Sequence, residues 1–275
     1  MNAPADSRAA PAKPGDYHVH TTWSDGSGSV EEVACRAAVL GLPEVAVAEH
    51  FSPRPGRDED WWLRPEQLGD YVADVRAVAT RHQDVRVLLG VEAEYVVGQE
   101  ALLEEFLAAW PFEVVVLGVH EVDGFVFDDP ALRKDPRWHD PDVLFSAYYR
   151  TVRRAAEWGR FDIFAHIDYI GLWGHRPGPA VLSEVEAALD ALAASGAALE
   201  LNTDRFSDPA GVMYPSLEIL RGARVRGIPL TIDSDAHEAE HVGRAWDEAI
   251  ALARTSGYRE TLRLSDRALV PLPEA

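Results

Sequence analysis

Seven short apolar, β-branched runs alternate with amphipathic stretches along this chain, and six of its ten histidines stand where one of those runs ends. Strands are expected near 17–20, 44–49, 85–93, 113–119, 161–166, 197–202 and 228–233, and helices near 29–41, 65–82, 99–109, 142–158, 181–195, 215–227 and 239–254. Ser29 ahead of Glu31 and Glu32, Ser183 near Glu186, and the glycines at 41, 196 and 227 supply helix starts and stops. Strands joined by crossover helices of this length pair in parallel, and such sheets bury both faces. Imidazoles from so many separate strand ends can meet only on one rim of a closed or strongly curved sheet. The expected fold class is therefore α/β, a distorted (β/α)7 barrel related to the TIM barrel, with its chemistry at the carboxyl ends of the strands. Long connections follow the strands at 51–64, 120–141, 167–180 and 203–214, as a single functional rim requires. Residues 1–15, rich in Ala and Pro and without periodicity, read as a disordered lead-in; 16–275, with no break in composition, read as one domain.

The 46 acidic and 26 basic side chains give a net charge of -20. That field disfavours nucleic acid and anionic membrane, whose recognition rests on clustered Lys and Arg. It leaves room for a small anionic substrate, because bound cations dominate the local field of a site. The single cysteine, Cys35, rules out an intrachain disulfide and reads as a small buried apolar residue. No apolar run reaches membrane-spanning length, and the N-terminus lacks a signal-peptide core, so the expected location is the cytoplasm. Nothing in the sequence marks an oligomeric state.

His18 and His20 lie two apart on a strand and project to the same face, a ready chelate. Asp235 and His237 repeat the spacing, as do the carboxylates Glu92 and Glu94. Imidazole with carboxylate suits zinc, iron or manganese. Each residue alone has an ordinary structural explanation: His166 as a core histidine, Asp25 as a turn former before Gly26, Glu92 as a paired rim charge. Together they do not, because chance would have to place every one on the same rim. His82 and His241 read as solvated helix residues, whereas His139 and His175 lie in long rim loops within reach of a substrate.

The run from His18 to Gly26 (HVHTTWSDG) resembles the first motif of the polymerase and histidinol phosphatase (PHP) superfamily. So do Glu49-His50, Gly90-Val91-Glu92, Gly118-Val119-His120, Ala165-His166-Ile167-Asp168 and Ser234-Asp235-Ala236-His237. The resemblance runs from about Asp16 to Gly243. It narrows toward the histidinol-phosphate phosphatases through Glu49-His50, His120-Glu121-Val122-Asp123-Gly124 and Leu199-Glu200-Leu201-Asn202-Thr203. It implies a PHP-like barrel holding three divalent metal ions. One would use His18, His20, Glu92 and Asp235; a second would share Glu92 and add His120 and His166; the third would use Asp25, His50 and His237. Glu94 has the parity to assist. Glu92, Asp235 and His237 are the catalytic candidates.

The implied reaction is hydrolysis of a small phosphomonoester, L-histidinol phosphate, by metal-activated hydroxide, as a step of histidine biosynthesis. Arg205 is the candidate phosphate clamp, with Arg54 and His175 behind it, because a guanidinium fork matches phosphate. Asp123 and Asp128, in an acidic and aromatic loop, suit a leaving group bearing an ammonium and an imidazole. One departure stands out: Asp204 follows Asn202-Thr203 where the resemblance predicts small residues and then a basic one. Three alternatives stay open: hydrolysis of a nucleotide or sugar phosphate, a nuclease-like PHP module, and a non-catalytic metal-binding fold.

Overall fold

The structure is a computed structural model that describes residues 13–54, 61–207 and 211–273. Most of the expected lead-in (1–12) lies outside the described residues, while Pro14 and Gly15 are already buried against the first strand. The strands in chain order are β1 (Asp16–Val19), β2 (Glu44–Phe51), β3 (Arg86–Glu94), β4 (Val114–Gly118), β5 (Glu121–Val122), β6 (Phe125–Val126), β7 (Ile163–Phe164), β8 (Ala198–Asn202), β9 (Leu230–Asp233), β10 (Glu260–Leu262) and β11 (Leu269–Pro271). The helices are α1 (Val30–Leu40), α2 (Leu68–Arg81), α3 (Glu100–Ala109), α4 (Pro141–Trp158), α5 (Leu182–Ser195), α6 (Leu217–Val225) and α7 (Trp246–Ser256).

All seven expected strands form and pair in parallel, in the order β1-β2-β3-β4-β7-β8-β9. The sheet curls until its first and last strands meet. There the backbone contributes one parallel bridge, Val19 to Ala236, and a 2.8 Å bond from His20 N–H to the Ala236 carbonyl. Side chains complete the seam. Asp16 accepts from the N–H groups of Ser234 (2.9 Å) and Gly243 (3.0 Å), and Asp233 accepts from Tyr17 N–H (2.6 Å). The result is a nearly closed (β/α)7 barrel.

Side-chain parity sorts the core. Ala46, Ala48, Leu88, Val114, Val116, Ile163, Ala165 and Ala198 form one cluster. The alternate positions Val45, Val47, Val87 and Leu89 pack with residues of α1 and α2, and Val91, Leu117, Phe164, Leu199, Leu201 and Ile232 pack with residues of the remaining helices. Small residues in the first set keep the barrel narrow. Gly118 shows how narrow: a Cβ there would come within 2.7 Å of Glu92 Oε1. Only glycine lets that carboxylate occupy its place.

Several local features depart from the sequence expectations, each with a local cause. β7 stops early because the backbone at His166 turns left-handed (φ 33°). The last helix starts at Trp246, not near 239. Gly243 and Ala245 adopt left-handed conformations there, and Gly243 turns its N–H to Asp16. Ala239–His241 forms only a 3-10 turn. Cys35 is exposed instead of buried, since α1 packs through Val30, Val33, Ala34 and Ala37. α1 opens with the expected capping box between Ser29 and Glu32, whereas the start of α5 draws no cap from its side chains. Two unexpected hairpins appear, β5–β6 in the 120–141 connection and β10–β11 after α7. The second caps the amino-terminal end of the barrel: Tyr17 OH donates to Glu44 (2.8 Å) and accepts from Leu264 N–H (3.2 Å). Among the described residues no helix is long and apolar enough to cross a membrane.

Candidate metal centre

At the carboxyl rim the strand ends bring their polar residues together. His18 and Glu92 are buried in β1 and β3, and His20 is buried just past β1. Glu92 sits between two sets of imidazoles. Its Oε2 lies 3.3 Å from His18 Nε2 and 3.6 Å from His20 Nε2, and its Oε1 lies 3.4 Å from His166 Nε2 and 3.7 Å from His120 Nε2. Asp235 Oδ1 lies 3.2 Å from His20 Nε2 and 3.7 Å from His18 Nε2. On the outer side Asp25 Oδ2 lies 3.2 Å from His237 Nε2 and 3.7 Å from His50 Nε2. All nine metal-ligand candidates thus meet at one rim. Their ligand atoms fall into compact sets, among them His18–His20–Glu92, Glu92–His120–His166 and His20–Asp25–His50–His237.

Several rings are held in a definite tautomer by acceptors that cannot donate. Glu200 accepts from His18 Nδ1 (2.7 Å), Glu94 from His120 Nδ1 (2.7 Å), and the Asp235 carbonyl from His237 Nδ1 (2.9 Å). Each ring thereby turns its Nε2 toward the cluster, the arrangement metal-ligating histidines adopt. Glu94 also accepts the N–H groups of His120 and Glu121, and Glu200 those of His166 and Asn202 Nδ2. Asn202 Nδ2 donates to Asp235 Oδ2 as well (3.0 Å). Glu49, beside His50, accepts from Thr21 and Ser24 and so fixes the turn that carries Asp25.

The electrostatics suit a bound cation. Burial opposes charge on Glu92 and Asp235, yet the surrounding imidazoles, His50 and His18 for Glu92 and His18 and His20 for Asp235, hold both carboxyls well below the usual range. Burial and the neighbouring His50 and His237 push His20 down to about 3. Burial also opposes protonation of His120 and His237, but Glu94 and Asp25 respectively raise them to about 10.

The residues fit divalent metal. His18 Nε2, both nitrogens of His20 and both oxygens of Glu92 are buried without a hydrogen bond among the described residues. His50 Nδ1 approaches Glu92 Oε2 to 2.6 Å without the alignment of a hydrogen bond. Buried polar atoms left unpaired are costly, and here they point at one another from several strands. The His20 ring stacks on those of His50 and His237 at 4.2 and 4.5 Å between centroids, which crowds ring nitrogens of three strand ends into one place, as a metal site requires.

Above this cluster opens a cavity of about 340 Å³, lined by six of the metal-ligand candidates and by Asp128, Trp61, Tyr169, Asp204, Arg244 and others. Of the substrate-binding candidates, Asp128 lies on this wall. Arg205 stands in the 3-10 turn after β8, among Tyr169 and Tyr214. Arg54 pairs with Glu121, His175 stacks on Trp138 with ring centroids 4.3 Å apart, and Asp123 is exposed at the β5–β6 turn. His241, expected to be solvated, lines the cavity, while His82 ends α2 and bonds Glu31 and His139 is exposed. Sequence reasoning missed Arg244 altogether, named Glu200 and Asn202 only within a motif and without a role, and met Asp204 only as a departure from the resemblance. The one available signal for Glu200 was a carboxylate at inward parity in an otherwise apolar strand.

A parallel barrel with histidines and carboxylates converging on its carboxyl rim defines a metal-dependent hydrolase type of site. The PHP domain model matches residues 16–204 and the PHP-associated model residues 217–254. The chain belongs to the PHP family. It is 32% identical to a probable histidinol-phosphatase of Deinococcus radiodurans, over 93% of this chain and 98% of the relative. It is 24% identical to the histidinol-phosphatase of Lactococcus lactis, over 91% and 94%. Among solved structures, the histidinol phosphate phosphatase of Lactococcus lactis, in complex with zinc, L-histidinol and phosphate, superposes with a TM-score of 0.75 at 22% identity, covering 94% of this chain and 99% of that one.

Proposed function

We propose that the protein is a metal-dependent phosphomonoesterase that hydrolyses L-histidinol phosphate to L-histidinol and phosphate. The observation that carries this reading is the set of unpaired His18, His20 and Glu92 atoms buried beneath a cavity of small-substrate size. The near full-length similarity to histidinol-phosphatases supports the choice of substrate. Three divalent ions, zinc, iron or manganese, would be held by His18, His20, Glu92 and Asp235; by Glu92, His120 and His166; and by Asp25, His50 and His237. When bound, they supply Lewis acidity for the phosphoryl oxygens and acidify water.

The protein's own groups do the rest. Glu92 offers one oxygen to each of two histidine sets and so fixes their spacing. Glu200 and Glu94 aim His18 and His120. Asp235, with Oδ2 held by Asn202, presents Oδ1 as an acceptor for the attacking water, and His237 lines the cavity beside it. Water oxygen forms the new bond to phosphorus as the ester P–O bond breaks, and the water's proton ends on the leaving alkoxide. Asp128 and Trp61 on the cavity wall suit a cationic, aromatic leaving group. Arg205, Arg54, His175 and Asp123 complete the proposed substrate contacts. Residues 16–275 act as one catalytic unit in this reading.

The test is steady-state hydrolysis by metal-loaded protein of L-histidinol phosphate against a panel of nucleotide and sugar phosphates. L-histidinol phosphate should lead the panel in kcat/KM; equal or slower turnover overturns the substrate assignment.

A further inference from the structure

We propose that Asp204, held in place by Arg244, selects for an ammonium group on the leaving alcohol. The inference rests on the phosphomonoesterase reading above and names a specificity residue within it. Asp204 opens the turn after β8, and its N–H donates to Asn202 Oδ1 (2.9 Å). Asn202 in turn bonds Asp235, so Asp204 stands one hydrogen-bonded residue away from the ligand cluster. Arg244 Nη2 donates to Asp204 Oδ1 and to the Ser234 carbonyl (3.2 Å), while the Arg244 carbonyl accepts from Thr203 Oγ1 (3.0 Å). Both residues line the cavity.

Burial and the neighbouring Asp235 push the Asp204 carboxyl up, and the Arg244 guanidinium, which does not give up its proton, opposes them and offsets its negative charge. Paired in this way, the carboxylate presents less net negative charge to a phosphate in the cavity. Asp204 Oδ1 is engaged by Arg244, and the carboxylate stands on the cavity wall. In the phosphate ester of a 2-amino alcohol the ammonium sits on the carbon next to the esterified one. Its partner must therefore lie on the innermost layer of the rim. Asp204 does; Glu238 is largely exposed at the cavity's edge, and Asp123 is exposed on its hairpin. Among the described residues, Asp128 is the remaining rival carboxylate on the wall outside the ligand sets.

The experiment compares L-histidinol phosphate with its deamino analogue, 3-(imidazol-4-yl)propyl phosphate, on metal-loaded protein. Losing a charge-assisted hydrogen bond should lower the amine-to-deamino ratio of kcat/KM about 10- to 100-fold in Asp204→Asn, mainly through KM. Arg244→Lys should keep most of the preference and Arg244→Leu lose it. Metal content and melting temperature, measured alongside, identify a variant that merely misfolds; Asp204→Glu then supplies the second reading, with the preference partly kept. Equal losses on both esters overturn the proposal, as does a preference abolished by Asp128→Asn but not by Asp204→Asn. If wild type ignores L-histidinol phosphate, the functional reading fails by itself. The same ratio is then read on phosphoethanolamine and ethyl phosphate, where an unchanged ratio sinks the role of Asp204.

Discussion

Glu200 Oε1 lies 2.7 Å from His18 Nδ1, joining two fully buried residues 182 positions apart in the chain. A carboxylate only accepts, so Nδ1 carries a proton and Nε2 is turned toward Glu92 and Asp235. Glu200 Oε2 meanwhile takes the His166 N–H and Asn202 Nδ2, both at 2.9 Å. One side chain thereby orients a ligand on the first strand and the strand end that bears another.

Glu200→Gln should therefore weaken metal binding by about 10- to 100-fold, since partners that orient a ligating imidazole are worth that much. Glu94→Gln should do the same through His120. Metal retained after dialysis against a competing chelator measures it, with circular dichroism to show that the fold persists. Retention equal to wild type would remove these carboxylates from the account.

Gly118→Ala places a methyl group 2.7 Å from Glu92 Oε1 and 2.8 Å from His120 Cε1. The backbone there is ordinary, so the penalty is one of space. Overpacking should cost about 1–3 kcal/mol in denaturant unfolding, and the displaced Glu92 should lower metal content and kcat together. A variant with full metal and full activity contradicts the crowded axis.

In metal-free protein His120 and His237 are raised to about 10 by carboxylates that outweigh the opposing effect of burial. A histidine whose folded pKa lies above its unfolded value stabilises fully below about 6.5, and that stability is lost as pH rises through 10. The metal-free protein should thus lose stability between pH 6.5 and 10. Metal must displace those protons, so its apparent affinity should climb over the same range, with protons released on binding. Calorimetry in buffers of different ionisation enthalpy counts them; zero release is the contrary result.

Tyr17→Phe removes the hydroxyl that links Glu44 to Leu264 N–H beneath the barrel. Leaving Leu264 N–H without its acceptor, and Glu44 Oε2 with only the longer bond from Ser265 N–H (3.4 Å), should cost about 1–3 kcal/mol, read from the shift in unfolding midpoint. A shift within a few tenths of a kcal/mol would show that the β10–β11 cap does not depend on it.

The barrel and its histidines were legible because both depend on short-range periodicity. Parity placed His18 with His20 and Asp235 with His237, and strand ends placed the rest on one rim. Glu200 and Glu94 were not legible as orienting partners. Which ring a carboxylate meets depends on the register of strands that the sequence leaves unspecified, and Glu200 reads simply as part of an apolar run. The β5–β6 hairpin has two-residue strands, too short for any alternation to show. The start of α7 was misplaced because the demand that Asp16 makes on Gly243 spans 227 positions. Asp204 stood out in the sequence only as a departure from the resemblance; its ion pair with Arg244, 40 positions away, is what gives it a place on the cavity wall.

The seam between β1 and β9 has a consequence for how the molecule tolerates shortening. Backbone pairing there is almost absent, and Asp16 and Asp233 lace the two edges by gripping amide hydrogens of the opposite segment. A chain ending before Gly243 would keep every histidine of the rim yet lose one of the grips that hold its opening strand. The earliest residues of the catalytic apparatus are thus licensed by some of the latest to be synthesised, and no nascent fragment short of that glycine should possess a finished His18–His20 chelate.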